Sequence, residues 1–294
     1  MKKLIFIFFL LILFTGCKKA CKNIIGPASG NHLKILFIGL DGVRTDAFRA
    51  ANTPHFDSLA ENGIRCWYVD RGPFTVSVPG WTTILHGVFP AKHGLTKNSF
   101  TGNNYEQYPD IFKMVRKMHQ NWQLFSLTNW ADFMKITSQD TYCLNLSDDA
   151  LLAAKAVDVL TNFNPDILLL HFNGPDHTGH ASGFSPLNPD YISNIEQMDI
   201  YAGAIFNAVQ IREQLLGEEW MTIVCTDHGG EGTSHGDQDN LRQTRFVFFI
   251  VSGKNIPSFE KTSPTSNTDL LPTMLKFMNV AVDPSAGLDG VSLY

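Results

Sequence analysis

Apolar runs of strand length recur along the chain, and stretches in which apolar residues return at helical spacing separate them. The clearest runs cover residues 34–40, 166–172 and 221–225, and none shows a strict apolar–polar alternation. Such runs are typical of strands buried on both faces of a parallel sheet. Helical spacing is clearest over residues 189–216. The pattern predicts an α/β fold with a largely parallel central sheet and helices on both of its faces.

Shorter segments continue the same alternation. Thr53-Pro54 begins a helix that Asn62-Gly63 would end, since proline is favoured in the first turn of a helix. Further strands are predicted at residues 64–69, 123–128 and 245–251. Further helices are predicted from Pro79 onward, around 108–119, over 148–163 and over 269–278. No internal repeat interrupts this order, so residues 33–294 are expected to form a single domain.

Carboxylates and imidazoles follow three of the predicted strands. These candidate ligands are Asp41, Asp176, His180, Asp227, His228 and His235. The carboxyl ends of parallel strands lie along one edge of a sheet, so residues far apart in sequence can meet there. Asp and His suit zinc or a similar divalent cation, and six of them exceed one tetrahedral site and fit two adjacent metals. Pro175 and Gly179 argue against a continuous helix, which leaves Asp176 and His180 either one helical turn apart or gathered by a loop.

A further polar segment surrounds Ser77. Because the apolar spacing places the start of a helix at Pro79, Ser77 would lie at a helix N-terminus. Free backbone N–H groups at that position favour an anion. Taken alone, the same serine could equally be a residue that only caps the helix.

Four ordered motifs resemble the alkaline phosphatase superfamily, and most of all its type I phosphodiesterase/nucleotide pyrophosphatase branch. They are GLDG at 39–42 with residues 53–60, Ser77-Val78-Pro79 with residues 87–94, Asp176-x-x-x-His180, and Thr226-Asp227-His228-Gly229. The resemblance extends from about residue 34 to residue 236, and four motifs in the right order are far more specific than any one of them. It implies an alkaline-phosphatase-like fold and a small phosphate ester as the substrate.

The resemblance also implies a role for each candidate residue. Ser77 would be the nucleophile, and Asn98 would hydrogen-bond a phosphoryl oxygen. Two divalent metal ions, expected to be Zn²⁺, would be held by Asp41, Ser77, Asp227 and His228 and by Asp176, His180 and His235. His235 follows His228 by only seven residues, whereas longer nucleotide pyrophosphatases place this ligand after an inserted cap. We therefore expect a compact relative without a large cap.

The expected reaction is metal-dependent hydrolysis of phosphate esters, most of all phosphodiesters, through a phosphoserine intermediate at a two-metal site. A phosphomonoesterase is an alternative, because no segment visibly selects one or two ester groups. A sulfatase is another alternative, but Trp81 stands where its signature requires Arg, and Gly42 follows Asp41 where a second aspartate is usual. A non-catalytic binding lipoprotein is the last alternative, and the intact ligand set argues against it.

The N-terminal residues indicate where in the cell the protein is located. Residues 1–16 join a basic start to an apolar run, as a signal peptide does, and residues 14–17 resemble a bacterial lipobox that ends at Cys17. We expect a lipid anchor on Cys17, a tether over residues 17–32, and an exported cell-envelope lipoprotein of a bacterium, facing the periplasm or the surface. Ordinary secretion with cleavage nearby is the alternative.

The composition of the chain limits the kinds of partner that the protein is expected to bind. The 294 residues are 44% hydrophobic, which is ample for a large core. The formal charge is −5, and no basic block stands out beyond the lysines near Cys17, so no nucleic-acid-binding surface is expected. Cys66 and Cys225 lie in apolar runs, where a buried thiol is favoured over a disulfide.

Overall fold

The computed structural model describes residues 30–137, 141–262 and 264–294. The expected signal peptide, the anchor at Cys17 and nearly all of the tether lie outside the described residues. Across the described ranges, no helix combines the length and the apolar character needed to cross a membrane. Cys66 and Cys225 are buried free thiols, as expected, and Cys143 is buried as well.

A single sheet of eight strands forms the centre of the described part of the chain. In chain order the strands are β1 (Leu33–Leu40), β2 (Gly63–Asp70), β3 (Leu124–Thr128), β4 (Tyr142–Asn145), β5 (Ile167–Phe172), β6 (Glu219–Cys225), β7 (Phe246–Gly253) and β8 (Phe259–Glu260). Across the sheet their order is β4-β3-β5-β1-β6-β7-β2-β8. Neighbouring strands are parallel except where β7 pairs with β6 and β2. The prediction of a largely parallel sheet is confirmed.

Helices connect most of these strands. They are α1 (Thr45–Ala50), α2 (Pro54–Glu61), α3 (Ser77–His86), α4 (Pro90–His93), α5 (Ile111–Met118), α6 (Asp149–Asn162), α7 (Gly174–Ser182), α8 (Pro189–Leu216), α9 (Arg242–Arg245) and α10 (Leu270–Phe277). Short 3₁₀ turns lie at Ala131–Lys135, Asn267–Asp269 and Pro284–Ala286. Helix α8 has the predicted bounds. Strand β4 and helix α1 were not predicted, because segments of four and six residues are too short to show a period.

The expectation that Pro175 and Gly179 interrupt a helix is wrong, because α7 runs continuously through both. Pro175 lies in the first turn, where its missing N–H group would have had no helical partner. Gly179 lies where the ring of Phe184 packs, and a Cβ atom on it would come within 2.2 Å of that ring. Both residues therefore serve the helix that holds Asp176 and His180.

Apolar layers cover both faces of the sheet. Along β1, Ile35 and Phe37 belong to one layer and Leu36 and Ile38 to the other, as the alternation of side chains along a strand requires. Helices α3, α5 and α10 pack on the first layer, and α2, α6 and α8 pack on the second. The expected placement of helices on both faces is confirmed. The central strands thus form a rigid base for the loops at their carboxyl ends.

Candidate active site

The candidate ligands meet because β5, β1 and β6 are adjacent and end at the same level. Gly39 of β1 pairs with His171 of β5 on one side and with Cys225 of β6 on the other. Asp41 follows β1, helix α7 follows β5, and the loop 226–236 follows β6. The structure therefore brings the ends of three strands and the start of α3 to one place.

The first group of side chains surrounds Ser77, which begins helix α3 and is buried. Its Oγ lies 3.1 Å from His228 Nε2 and 3.4 Å from Asp41 Oδ1. His228 Nε2 also lies 3.3 Å from Asp227 Oδ2. All four residues that the sequence assigns to the nucleophile's metal are therefore within contact distance of at least one other member.

The second group combines Asp176, His180 and His235. Asp176 and His180 lie on successive turns of α7, with Asp176 Oδ2 and His180 Nε2 3.5 Å apart. His235 Nε2 lies 3.0 Å from His180 Nε2 and 3.5 Å from Asp176 Oδ1. One ligand atom from each residue lies within 4.8 Å of the other two, which is the size of a candidate metal site. This is the ligand set expected for the second metal.

The two groups share a boundary. The rings of His228 and His235 stack with their centroids 3.8 Å apart. Asp176 also belongs to a cluster with Asp41 and His228, whose ligand atoms again lie within 4.8 Å of one another. The candidate ligands therefore form one continuous cluster with two overlapping centres.

The imidazoles are oriented as metal ligands usually are. The Nδ1–H group of His228 donates to the Gly229 carbonyl (2.8 Å), that of His235 to the Thr75 carbonyl (2.6 Å), and that of His180 to the Thr233 carbonyl (2.9 Å). In a neutral ring this leaves the Nε2 lone pair pointing into the site. Two lone pairs facing each other at 3.0 Å, as in His180 and His235, favour a cation between them.

The carboxylates repel one another. Burial and the charge of Asp41 raise the pKa of Asp176 to about 8 and hold the pKa of Asp227 well above its usual value. Burial would also raise the pKa of Asp41, but the hydrogen bonds from His171 and Trp81 lower it. Asp176 Oδ1 and Asp227 Oδ2 are buried without a hydrogen-bond partner. A divalent cation would satisfy both oxygens and offset the repulsion, so the donor set fits metal ions.

The sequence model of type I phosphodiesterases/nucleotide pyrophosphatases matches residues 35–135 and 125–247. The matched ranges contain every candidate ligand and the nucleophile segment. This chain belongs to the type I phosphodiesterase/nucleotide pyrophosphatase family. The resemblance seen in the sequence is confirmed.

Individual relatives in and around this family are distant. Bis(5′-adenosyl)-triphosphatase ENPP4 of Bos taurus is 22% identical over 241 residues, which are 75% of this chain and 52% of the relative. The chain spans about half the length of that relative and a quarter of the GPI ethanolamine phosphate transferase 3 of Schizosaccharomyces pombe, with which it is 26% identical over 244 residues (76% of this chain). At this identity and coverage the relatives leave the substrate open.

Solved structures share the fold. A 2-O GAG sulfatase superposes with a TM-score of 0.71 at 15% identity, over 88% of this chain and 73% of the sulfatase. Murine ectonucleotide pyrophosphatase/phosphodiesterase 5, in complex with AMP, superposes with a TM-score of 0.69 at 17% identity, over 86% of this chain and 96% of the murine chain. At this identity they establish an alkaline-phosphatase-like fold, as expected.

Within this family member, Asn98 lies beside the nucleophile. Its Oδ1 accepts the backbone N–H of Val78 at 2.9 Å, and its side chain is exposed. Because the oxygen is engaged, the amide Nδ2 is the end that can donate to a ligand next to Ser77. The same contact uses the Val78 N–H, so this group at the start of α3 is not available to an anion.

Two residues around the ligands, Trp81 and Arg71, were not predicted from the sequence. Trp81 Nε1 and His171 Nε2 both donate to Asp41 Oδ2, at 2.8 and 2.9 Å. Arg71 is 1% exposed, and its Nε donates to the Asp227 carbonyl at 2.6 Å. Burial lowers the pKa of Arg71 to about 10, which leaves it charged at neutral pH. A tryptophan in an apolar helix looks like a core residue, so only the fold shows its contact with Asp41.

Proposed function

We propose that this protein hydrolyses phosphate esters, most readily phosphodiesters, with Ser77 as the nucleophile at a site for two divalent metal ions. The observation that carries the proposal is the position of the Ser77 hydroxyl, between His228 and Asp41 and at the N-terminus of α3. A serine that only capped the helix would not require six metal-ligand side chains around it. Membership of the family supports the same reaction class.

The residues that would hold the metals are those of the two groups described above. Asp41, Ser77, Asp227 and His228 would bind one ion, and Asp176, His180 and His235 the other. Nitrogen and carboxylate oxygen donors without thiolates suit Zn²⁺. Bound there, divalent cations would supply positive charge that favours the serine alkoxide and stabilises negative charge on the phosphate oxygens.

The chain's own residues account for the rest of the reaction. Ser77 Oγ attacks phosphorus and forms an O–P bond, while the leaving group's oxygen departs with the electron pair of the bond that breaks. Water then cleaves the phosphoserine ester and restores the hydroxyl, so one hard displacement becomes two easier ones. Asn98 Nδ2 donates to an equatorial oxygen as charge develops on it.

Two alternatives from the same superfamily are tested by the same experiment. A sulfatase shares the fold, but Trp81 here donates to Asp41 and cannot serve as the arginine of the sulfatase signature. A phosphomonoesterase would use the same residues, with an unesterified oxygen in place of the second ester group. We therefore compare turnover of p-nitrophenyl phosphate, bis-p-nitrophenyl phosphate and p-nitrophenyl sulfate by the purified protein, together with its metal content.

The proposal predicts about two equivalents of metal and fastest turnover of the diester. Fastest turnover of the monoester or the sulfate would instead select the corresponding alternative. Bound metal without turnover of any of the three would favour a binding protein.

We further propose that the protein is exported and held at a bacterial membrane by a lipid on Cys17, which agrees with a relative named as an ectonucleotide pyrophosphatase/phosphodiesterase.

A further inference from the structure

The two oxygens of Asp41 have different surroundings. Oδ1 faces the site, 3.4 Å from Ser77 Oγ and 3.5 Å from His228 Nε2. Oδ2 faces away from the site and accepts two hydrogen bonds, from Trp81 Nε1 at 2.8 Å and from His171 Nε2 at 2.9 Å. All three side chains are buried. Two strong donors therefore occupy one oxygen of the carboxylate and leave the other free toward the site.

The direction of the His171 hydrogen bond follows from its neighbours. A carboxylate can only accept, so Nε2 of His171 carries the hydrogen. Nδ1 lies 3.1 Å from the Thr128 hydroxyl, whose hydrogen also has the Trp130 carbonyl within reach at 3.2 Å. Phe133 stacks on the ring with centroids 4.2 Å apart, and Trp81 packs against it edge-on at 5.0 Å. The plane of the imidazole is thus fixed, and the contact with Asp41 fixes Nε2 as a donor.

The two donors come from different elements. Trp81 lies on α3, four residues after the nucleophile, and His171 lies on β5, which leads into α7 with its ligands Asp176 and His180. Space for the indole depends on Gly39 of β1, since a Cβ atom there would lie 2.6 Å from the Trp81 ring. Asp41 therefore connects β1, α3 and β5 at the point where the two candidate metal centres meet.

We propose that Trp81 and His171 are positioning residues that make Asp41 bind its metal through Oδ1 alone. The inference rests on the proposed function, because it requires that Asp41 is a metal ligand. Hydrogen bonds from the surroundings of a ligand fix its orientation, and their loss typically weakens metal binding 10- to 100-fold.

The chain offers a matched control. Trp220 is also buried (1% exposed), and its Nε1 also donates to a carboxylate, Glu218 Oε2, at 2.9 Å. Glu218 precedes β6, at the end of that strand remote from the site. Trp81→Phe and Trp220→Phe therefore each remove one buried indole donor from one carboxylate, and only the first concerns Asp41.

The experiment titrates metal-free protein with Zn²⁺ against a chromophoric chelator and records the visible spectrum of the Co²⁺-loaded protein. We expect Trp81→Phe and His171→Met to weaken one of two binding steps about 10- to 100-fold and to shift the Co²⁺ bands. His171→Gln retains a donor and should recover most of the affinity, and Trp220→Phe should match the wild type. If Trp81→Phe does not fold, the comparison of His171→Met with His171→Gln decides alone.

Two results would overturn the inference. Wild-type affinity and spectrum in Trp81→Phe and His171→Met would show that the donors do not position a ligand. Equal losses in Trp81→Phe and Trp220→Phe would assign the effect to general stability. If the wild type binds two metal ions, either of these results would leave the proposed function intact. If the wild type binds no metal, both the inference and the proposed function would be overturned.

Discussion

At the scale of single residues, three carboxylates in one cluster, two of them fully buried, are the feature that most needs a cation. Asp41 stays ionised because Trp81 and His171 donate to it, and burial together with the charge of Asp41 raises the pKa of Asp176 to about 8. Without metal, the folded state therefore holds a proton on Asp176 that the unfolded chain has already lost. This makes the stability of the metal-free protein dependent on pH in a definite direction.

The direction of this pH dependence follows from the difference between the pKa of a group in the folded state and its pKa in the unfolded state. A carboxyl whose pKa is higher in the folded state loses stabilisation as pH rises from its unfolded value of 3.8 toward about 8. Burial lowers the pKa values of His228 and His235, and this opposes the trend below their ordinary value of 6.5. Between pH 6.5 and 8 the contributions of Asp176 and Asp227, whose pKa values are both raised, remain. We predict that the free energy of unfolding in chelator falls there by up to about 1.4 kcal/mol per pH unit for each proton that only the folded state holds.

Urea denaturation at several pH values measures this slope. Asp176→Asn should reduce it, because the titrating group is gone, and saturating Zn²⁺ should abolish it, because a bound cation keeps the carboxylate ionised. If the free energy of unfolding of the metal-free wild type did not change with pH, or if its slope were unchanged in Asp176→Asn, the assignment of this pH dependence to Asp176 would be contradicted.

Asn98 gives a second prediction at this scale. Asn98→Ala removes the Nδ2 donor, so kcat/KM for a diester should fall about 10²- to 10³-fold while the metal content stays unchanged. The variant should also lose about 1 kcal/mol of stability, because the Val78 N–H loses its acceptor. Asn98→Asp keeps that acceptor and should recover stability without activity. Wild-type turnover in either variant would exclude Asn98 from transition-state stabilisation.

At the scale of secondary-structure elements, α7 shows why rules based on the local sequence did not predict a continuous helix. Glycine inside a helix normally weakens it, and replacement by alanine normally stabilises by about 0.5–1 kcal/mol. At Gly179 the tertiary contact reverses this, because the Phe184 ring lies 2.2 Å from the position of a Cβ atom. Phe184 in turn packs against the rings of His180 and His235. We predict that Gly179→Ala destabilises the protein and weakens metal binding.

Gly203 of α8 is the control for Gly179. A Cβ atom there would meet the His55 ring at 2.4 Å, but His55 is an exposed side chain that can move aside. Gly203→Ala should therefore be neutral or stabilising, and thermal melts of the two variants make the comparison. A stabilised Gly179→Ala variant with normal metal affinity would contradict the packing described for α7.

At the scale of the whole molecule, the sequence predicts the elements whose apolar pattern is periodic. It does not predict contacts between residues that are far apart in the chain. Apolar runs and helical spacing predict the order of strands and helices, and ordered motifs predict the candidate ligands at three strand ends. Trp81 and Arg71 could not be assigned, because their contacts join elements that are far apart in sequence. The antiparallel direction of β7 was also missed, since apolar content does not encode direction.

The proposed location belongs to this scale too. If Cys17 carries a lipid, cells grown with radiolabelled palmitate should label the protein, and Cys17→Ser should abolish the label and release the protein from the membrane fraction. The activity of the released variant should equal that of the wild type, because the anchor precedes the described site. Label that persists in Cys17→Ser would contradict the anchor.

The most direct test of the central claim is turnover of bis-p-nitrophenyl phosphate by Ser77→Ala, with metal content measured on the same sample. Loss of the hydroxyl removes the nucleophile and one metal contact but leaves six ligand side chains. We predict that hydrolysis falls to background while about two equivalents of metal remain bound. Turnover close to that of the wild type would contradict a mechanism through Ser77.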